Sequence, residues 1–140
     1  TMNSACEAVT ATQSAVATGR PTLASIVCGR DGRLLSGEPL SAAVKALTEL
    51  RPDALLINCT SAPEMSLPLA KLRANTSLPV GAYGNVGFRD QHGNWMQTEA
   101  IKPEVYASYA SQWRTAGATL IGGCCGTTPA HIAALRKTFL

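Results

Sequence analysis

The sequence predicts an α/β fold built on a parallel sheet, and three observations carry that prediction. Short apolar runs of strand length alternate with amphipathic stripes of helical period along the whole chain. The runs carry apolar residues on both faces, as strands covered on both sides require. One leading helix precedes four run-and-stripe pairs, an order that gives parallel strands joined by helical crossovers. Periodicity alone leaves open whether the sheet is a doubly wound one or a curved barrel segment. The first strand-to-helix turn lacks G-x-G-x-x-G, which argues against a dinucleotide fold.

Residues 3–18 are rich in alanine, with Ala5, Ala8, Val9 and Val16 at helical spacing and Gly19 as a stop, so they predict a helix. Residues 22–28 (TLASIVC) are the first strand, bounded by Pro21 and Gly29. A polar loop, GRDGRLLSGEP, leads to a helix opened by Pro39 near N1, with Leu40, Ala43, Val44 and Leu47 as its apolar stripe. Residues 54–59 (ALLINC) are the second strand. The next helix carries Leu69 and Leu72 and starts near Pro63 or near Leu67, Pro68 leaving both starts open. Residues 79–83 (PVGAY) are the third strand. The segment 84–102, which contains Trp95, is longer than ordinary strand-to-helix loops and is a candidate functional loop covering the strand ends. From Pro103 a helix places Tyr106, Tyr109, Ala110 and Trp113 on one stripe and ends at Gly117. Residues 118–122 (ATLIG) are the fourth strand. Thr128 as N-cap and Pro129 at N1 open the last helix, with Ile132 and Leu135 on one face.

A chain of 140 residues can bury roughly two thirds of its unfolded surface, enough for one domain without disulfides. It is too short for a complete (β/α)8 barrel of about 250 residues. Charged residues make up 15% of the chain, against about 25% in soluble domains, which indicates an unusually well-buried chain or a buried interface. The net charge of +3 comes from scattered Lys and Arg without a basic run, so no nucleic-acid partner is expected. No apolar stretch approaches about 18 residues and no signal-peptide pattern opens the chain, so no membrane role is expected and the expected location is cytoplasmic. The chain starts at Thr1 rather than Met, which points to a piece of a longer polypeptide.

The five cysteines are an odd number with two adjacent, a poor disulfide framework and a better source of thiolate ligands. Cys28, Cys59 and the Cys124-Cys125 pair stand at the carboxyl ends of predicted strands, the edge where parallel α/β folds bind ligands. On a regular strand two adjacent side chains point to opposite faces, so the pair can hold one metal only where the backbone turns sharply. Gly122, Gly123 and Gly126 permit that turn. Three thiolates with a free fourth position describe an open, catalytic zinc site. A lone strand-end cysteine is ordinarily a small core residue, and Cys28 and Cys6 are read as structural rather than as ligands. His131 reads as a surface or capping residue, and His92 carries no assignment. The adjacent pair lacks C-x-x-C spacing, which argues against a redox role.

Three motifs in order, GRDGRLLSGEPL at 29–40, INCT at 57–60 and GGCCGTTPAHI at 122–132, resemble the homocysteine S-methyltransferase family. GAYGNVG at 81–87 resembles that family's seventh-strand motif, so the resemblance covers nearly the whole chain. It implies a TIM barrel of which residues 1–140 are the C-terminal half, four βα units preceded by the helix after the fourth strand. It also implies Zn²⁺ held by Cys59 after the sixth strand and by Cys124 and Cys125 after the eighth. Homocysteine and a methyl donor are the implied substrates, the family's donors being S-methylmethionine, betaine or methyl-folate types. The family's first-strand DGG-type motif and its fourth-strand acidic residue, which help hold the amino-acid part of homocysteine, are missing from this sequence. The expected partner is therefore a second copy or an N-terminal half-barrel. Asn58 and Asn85 are candidates to hydrogen-bond sulfur or substrate, and read equally as turn residues. The alternative to a zinc-dependent methyltransferase is a noncatalytic fragment that binds zinc or thiols and needs a partner half-barrel.

Overall fold

The computed structural model describes residues 1–140, which run α1 (Ala5–Val16), β1 (Leu23–Ile26), α2 (Leu40–Glu49), β2 (Ala54–Ser61), α3 (Ser66–Ala74), β3 (Val80–Asn85), β4 (Gly87–Arg89), β5 (Trp95–Gln97), α4 (Pro103–Thr115), β6 (Ala118–Gly123) and α5 (Pro129–Phe139). Strands β1, β2, β3 and β6 pair in that order and all in parallel, so each crossover lays its strand beside the last. The helices pack as consecutive neighbours, α1 on α2, α2 on α3, α3 on α4 and α4 on α5. One row of helices on one face is the wall of a barrel, whereas a doubly wound sheet divides its helices between two faces. The predicted α/β half-barrel is thus the observed architecture.

Alternation along the strands sorts their side chains between the two faces. Ala24, Ile26, Leu55, Ile57, Val80 and Ala82 join Leu40, Val44, Leu47, Leu69, Leu72 and Trp113 in the core between sheet and helices. Leu56, Gly81 and Leu120 lie side by side on the opposite, concave face. That face is thinly covered: Leu23 is half exposed, and Tyr83 and Leu120 are only partly buried. No helix is long and apolar enough to cross a membrane.

Several boundaries differ from the sequence expectation for identifiable reasons. Helix α1 starts at Ala5 rather than residue 3, because the Ser4 hydroxyl caps it by accepting the Glu7 N–H at 3.3 Å. The first strand ends at Ile26, since Cys28 turns away to pair antiparallel with Leu34. The polar loop is therefore partly self-paired, and its Leu34 is buried. Pro39 is the N-cap of α2 rather than N1. Both proposed starts of the third helix are used in succession: a 3-10 turn, Ala62–Glu64, contains Pro63, and α3 follows from Ser66. Pro68 falls in the first turn of α3, where its missing N–H breaks no helical bond.

The segment 84–102 is not an open loop. It extends β3 to Asn85 and then forms the β4–β5 hairpin, closed by the Asp90 carboxylate, which accepts the backbone N–H groups of His92 and Asn94 at 2.8 Å each. On α5, Ile132 and Leu135 do not share the buried face. His131 and Leu135, four residues apart, face the core, and Ile132 is half exposed. His131 is thus a capping residue but not a surface one: its Nδ1 accepts the Thr128 N–H at 3.1 Å and its ring is buried.

Candidate metal centre

At the carboxyl edge of the sheet the ladder between β2 and β3 slips at Cys59, which adopts a left-handed backbone with φ +61°. For a residue with a side chain this conformation costs about 1–2 kcal/mol, so local bonds must hold it. Two asparagine amides do so from either side. The Asn58 side-chain oxygen accepts the Cys59 N–H at 2.8 Å, and the Asn85 Nδ2 donates to the Cys59 carbonyl at 2.9 Å. The other Asn58 atom, Nδ2, donates to the Thr1 hydroxyl.

Asn85 also reaches the second cysteine turn. It is buried, and its Oδ1 accepts the Cys125 N–H at 3.1 Å, so one side chain ties together two turns from different strands. Strand β6 ends at Gly123, and the chain then bends rather than continuing as a strand. The Cys124 N–H donates to Gly84 O at 2.9 Å, Val86 N–H to Cys125 O at 3.1 Å, and the Thr127 hydroxyl to Cys124 O at 2.7 Å. Gly126 closes the bend at φ +78°, and a Cβ there would collide with Val86 Cγ2. This is the sharp turn that two adjacent ligands require.

These turns bring three sulfurs together. Cys59 Sγ lies 3.1 Å from Cys124 Sγ and 3.7 Å from Cys125 Sγ, and Cys124 and Cys125 are 3.8 Å apart. All five cysteines are free thiols. A tetrahedral zinc with Zn–S bonds of about 2.3 Å places its sulfurs about 3.8 Å apart, which two of the three separations match; the third is shorter. The donor set fits a thiophilic ion. Burial, and then the crowding of Cys124 and Cys125 beside it, pushes the Cys59 thiol up to about 12. Cys28 stands apart from the cluster, buried, its thiol also pushed up to about 12 by burial and by nearby Asp31. Cys6 is exposed on α1.

Cys59, Cys125 and Asn85 border a cleft of about 770 Å³. Arg30 and Leu35 of the β1–α2 loop line it, as do Phe88, Arg89 and Trp95 of the hairpin. Phe88 and Trp95 are each about two fifths exposed, so the hairpin turns an aromatic surface toward the sulfurs' cleft. The double use of Asn85 and the hairpin were both missed at the sequence level, although the Asn two residues past the expected end of the third strand, in GAYGNVG, was a signal for a strand-end role.

The family model for homocysteine S-methyltransferase matches residues 1–139. The chain belongs to the homocysteine S-methyltransferase family. It is 40% identical over 86 residues to homocysteine S-methyltransferase 3 of Arabidopsis thaliana, covering 60% of this chain and 25% of that protein. It is 40% identical over 110 residues to the homocysteine S-methyltransferase of Escherichia coli K12, covering 76% of this chain and 36% of that protein. The metallated crystal form of the Escherichia coli homocysteine methyltransferase MmuM superposes with a TM-score of 0.78 at 32% identity, over 97% of this chain and 42% of that one. The chain therefore spans less than half the length of these family members.

Proposed function

We propose that this chain is the zinc-binding half of a barrel enzyme that transfers a methyl group to the thiol of homocysteine, forming methionine. The observation that carries the reading is the Cys59, Cys124 and Cys125 sulfur cluster opening on a cleft at the carboxyl edge of a family barrel. A zinc ion held by the three cysteines would supply a Lewis acid that keeps a thiol of ordinary pKa, about 8.5, in its thiolate form near neutral pH. The thiolate sulfur bonds to the donor's methyl carbon as the bond from that carbon to its old carrier breaks, and the carrier keeps the electron pair. No general base at carbon is needed.

The chain's own residues bind and orient. Asn85 spends one N–H and one lone pair on the cysteine turns, which leaves one N–H and one lone pair for sulfur or substrate, and Asn58 keeps a lone pair for the same use. The hairpin lines the cleft with Phe88, Arg89 and Trp95. In a Trp113→Phe background, homocysteine added with zinc is expected to quench or shift the fluorescence of Trp95. No response at saturating ligand would remove the hairpin from the substrate's surroundings.

The free thiols suit a reducing, cytoplasmic compartment. Because the chain spans under half of its solved relative, a second reading has specific support: a noncatalytic zinc- or thiol-binding fragment that needs a partner half-barrel to fold against. One assay separates the two. Methionine formation from homocysteine and each donor type is measured for the chain alone, then mixed with an N-terminal half-barrel of the family. Turnover only in the mixture is the expected result. Turnover in neither sinks the enzymatic reading.

A further inference from the structure

Beneath the cysteine turns lies a buried aromatic cluster, and one of its polar atoms, the Tyr106 hydroxyl, reaches the same strand ends. On α4, Tyr106 is fully buried, and its one hydroxyl proton is shared between the carbonyls of Gly84 at 3.0 Å and Gly122 at 2.7 Å. Gly84 pairs with Gly123 in the last rung between β3 and β6, and the same Gly84 carbonyl accepts the Cys124 N–H. A single carbonyl thus separates the phenol from the backbone of a sulfur-bearing residue. Burial pushes the Tyr106 hydroxyl well above its ordinary range, so it remains a donor.

The ring is seated from two sides. Trp113 and His131 both meet it edge to face, with centroids 5.4 and 5.5 Å away. With Nδ1 accepting from Thr128, His131 carries its proton on Nε2 and donates it to Ala100 O at 3.2 Å. The strand above makes room: a Cβ at Gly84 would come within 2.7 Å of Trp113 Cη2 and 3.3 Å of the Tyr106 oxygen. A phenylalanine would fill the same space as Tyr106, so packing alone does not account for a hydroxyl aimed at this rung.

We propose that Tyr106 is a positioning residue of the metal centre: its hydroxyl locks the last rung between β3 and β6 and so sets where Cys124 and Cys125 present their sulfurs. The proposal rests on the zinc reading above. Tyr106→Phe keeps the ring and its two edge-to-face contacts and removes only the shared proton. In the full chain, Zn²⁺ affinity measured against a chromophoric chelator is expected to fall about tenfold or more, the range for lost partners outside the ligand shell. The visible absorption of the Co²⁺-loaded protein is expected to shift with it. Leu47→Ala, which cuts the core on α2 away from the sulfurs, is the control and is expected to bind Zn²⁺ like the unchanged chain. Unchanged affinity in Tyr106→Phe, or an equal loss in Leu47→Ala, overturns the proposal. An unchanged chain that binds no Zn²⁺ overturns the zinc reading and this one with it. Should Tyr106→Phe fail to fold, His131→Gln carries the test, because glutamine keeps the capping bond to Thr128 while removing one seat of the phenol. There a weaker affinity with a shifted Co²⁺ spectrum supports the proposal, and no change in either overturns it.

Discussion

Alanine in place of Cys59, Cys124 or Cys125 is expected to abolish tight zinc binding, one ligand at a time, while Cys6→Ala leaves it intact. The three sulfurs lie within 3.1 to 3.8 Å of one another, and no other cysteine, histidine or carboxylate joins their cluster to replace a lost one. Losing even a partner of a metal ligand costs roughly 10–100-fold in affinity, so losing a ligand from a set of three is expected to cost more than that. The backbone argues that the effect is local. Cys59 already pays for its left-handed turn, and alanine there keeps the same two asparagine bonds, so the fold loses a thiol and little else. Elemental analysis after dialysis gives the answer, one zinc per unchanged chain and none in the three variants. Full zinc in any one of them removes that residue from the ligand set.

How far this site was legible follows from which features are local. Cysteines placed at the ends of apolar runs, and glycines around an adjacent pair, are read directly from short windows. The clamp made by Asn85 is not. It joins Cys59 and Cys125, 26 and 40 residues away, and depends on the register in which β3 settles between β2 and β6. Periodicity of two fixes which face a side chain takes but not how far a strand slides along its neighbour. The same reason hid the role of Tyr106, whose place on a helical stripe predicts burial and says nothing of two carbonyls above it. On α5 the apolar count favoured Ile132, yet the capping bond of His131 turns the imidazole inward and rotates Ile132 toward solvent. The curvature of the sheet likewise needed the strand order, which motif resemblance supplied and periodicity did not.

The isolated chain is expected to self-associate or to seek a second half-barrel, because its sheet has two edges that nothing in the chain fully covers. On the β1 side only Met2 pairs, its N–H donating to Ser25 O and its carbonyl accepting the Val27 N–H, each at 3.0 Å. On the β6 side the sheet ends. A groove lined by Ala118, Thr119, Ile121 and Phe139 runs along that edge. Unpaired N–H and C=O groups along a strand are a template for another strand, and closure into a barrel is the one arrangement that leaves none. The concave face adds an apolar incentive through Leu23, Tyr83 and Leu120, which are half or partly exposed and lie where the opposite wall of a barrel would stand. Light scattering on the purified chain is expected to give a dimer or larger species, and mixing with an N-terminal half-barrel is expected to convert it to a one-to-one complex. The conversion follows from the sheet's geometry, since a parallel strand continuing the line of Met2 extends along β1 while a first barrel strand settles against β6. A stable monomer over a wide concentration range, indifferent to the added half, would show that these edges are tolerated in water and that closure is not what the fold lacks.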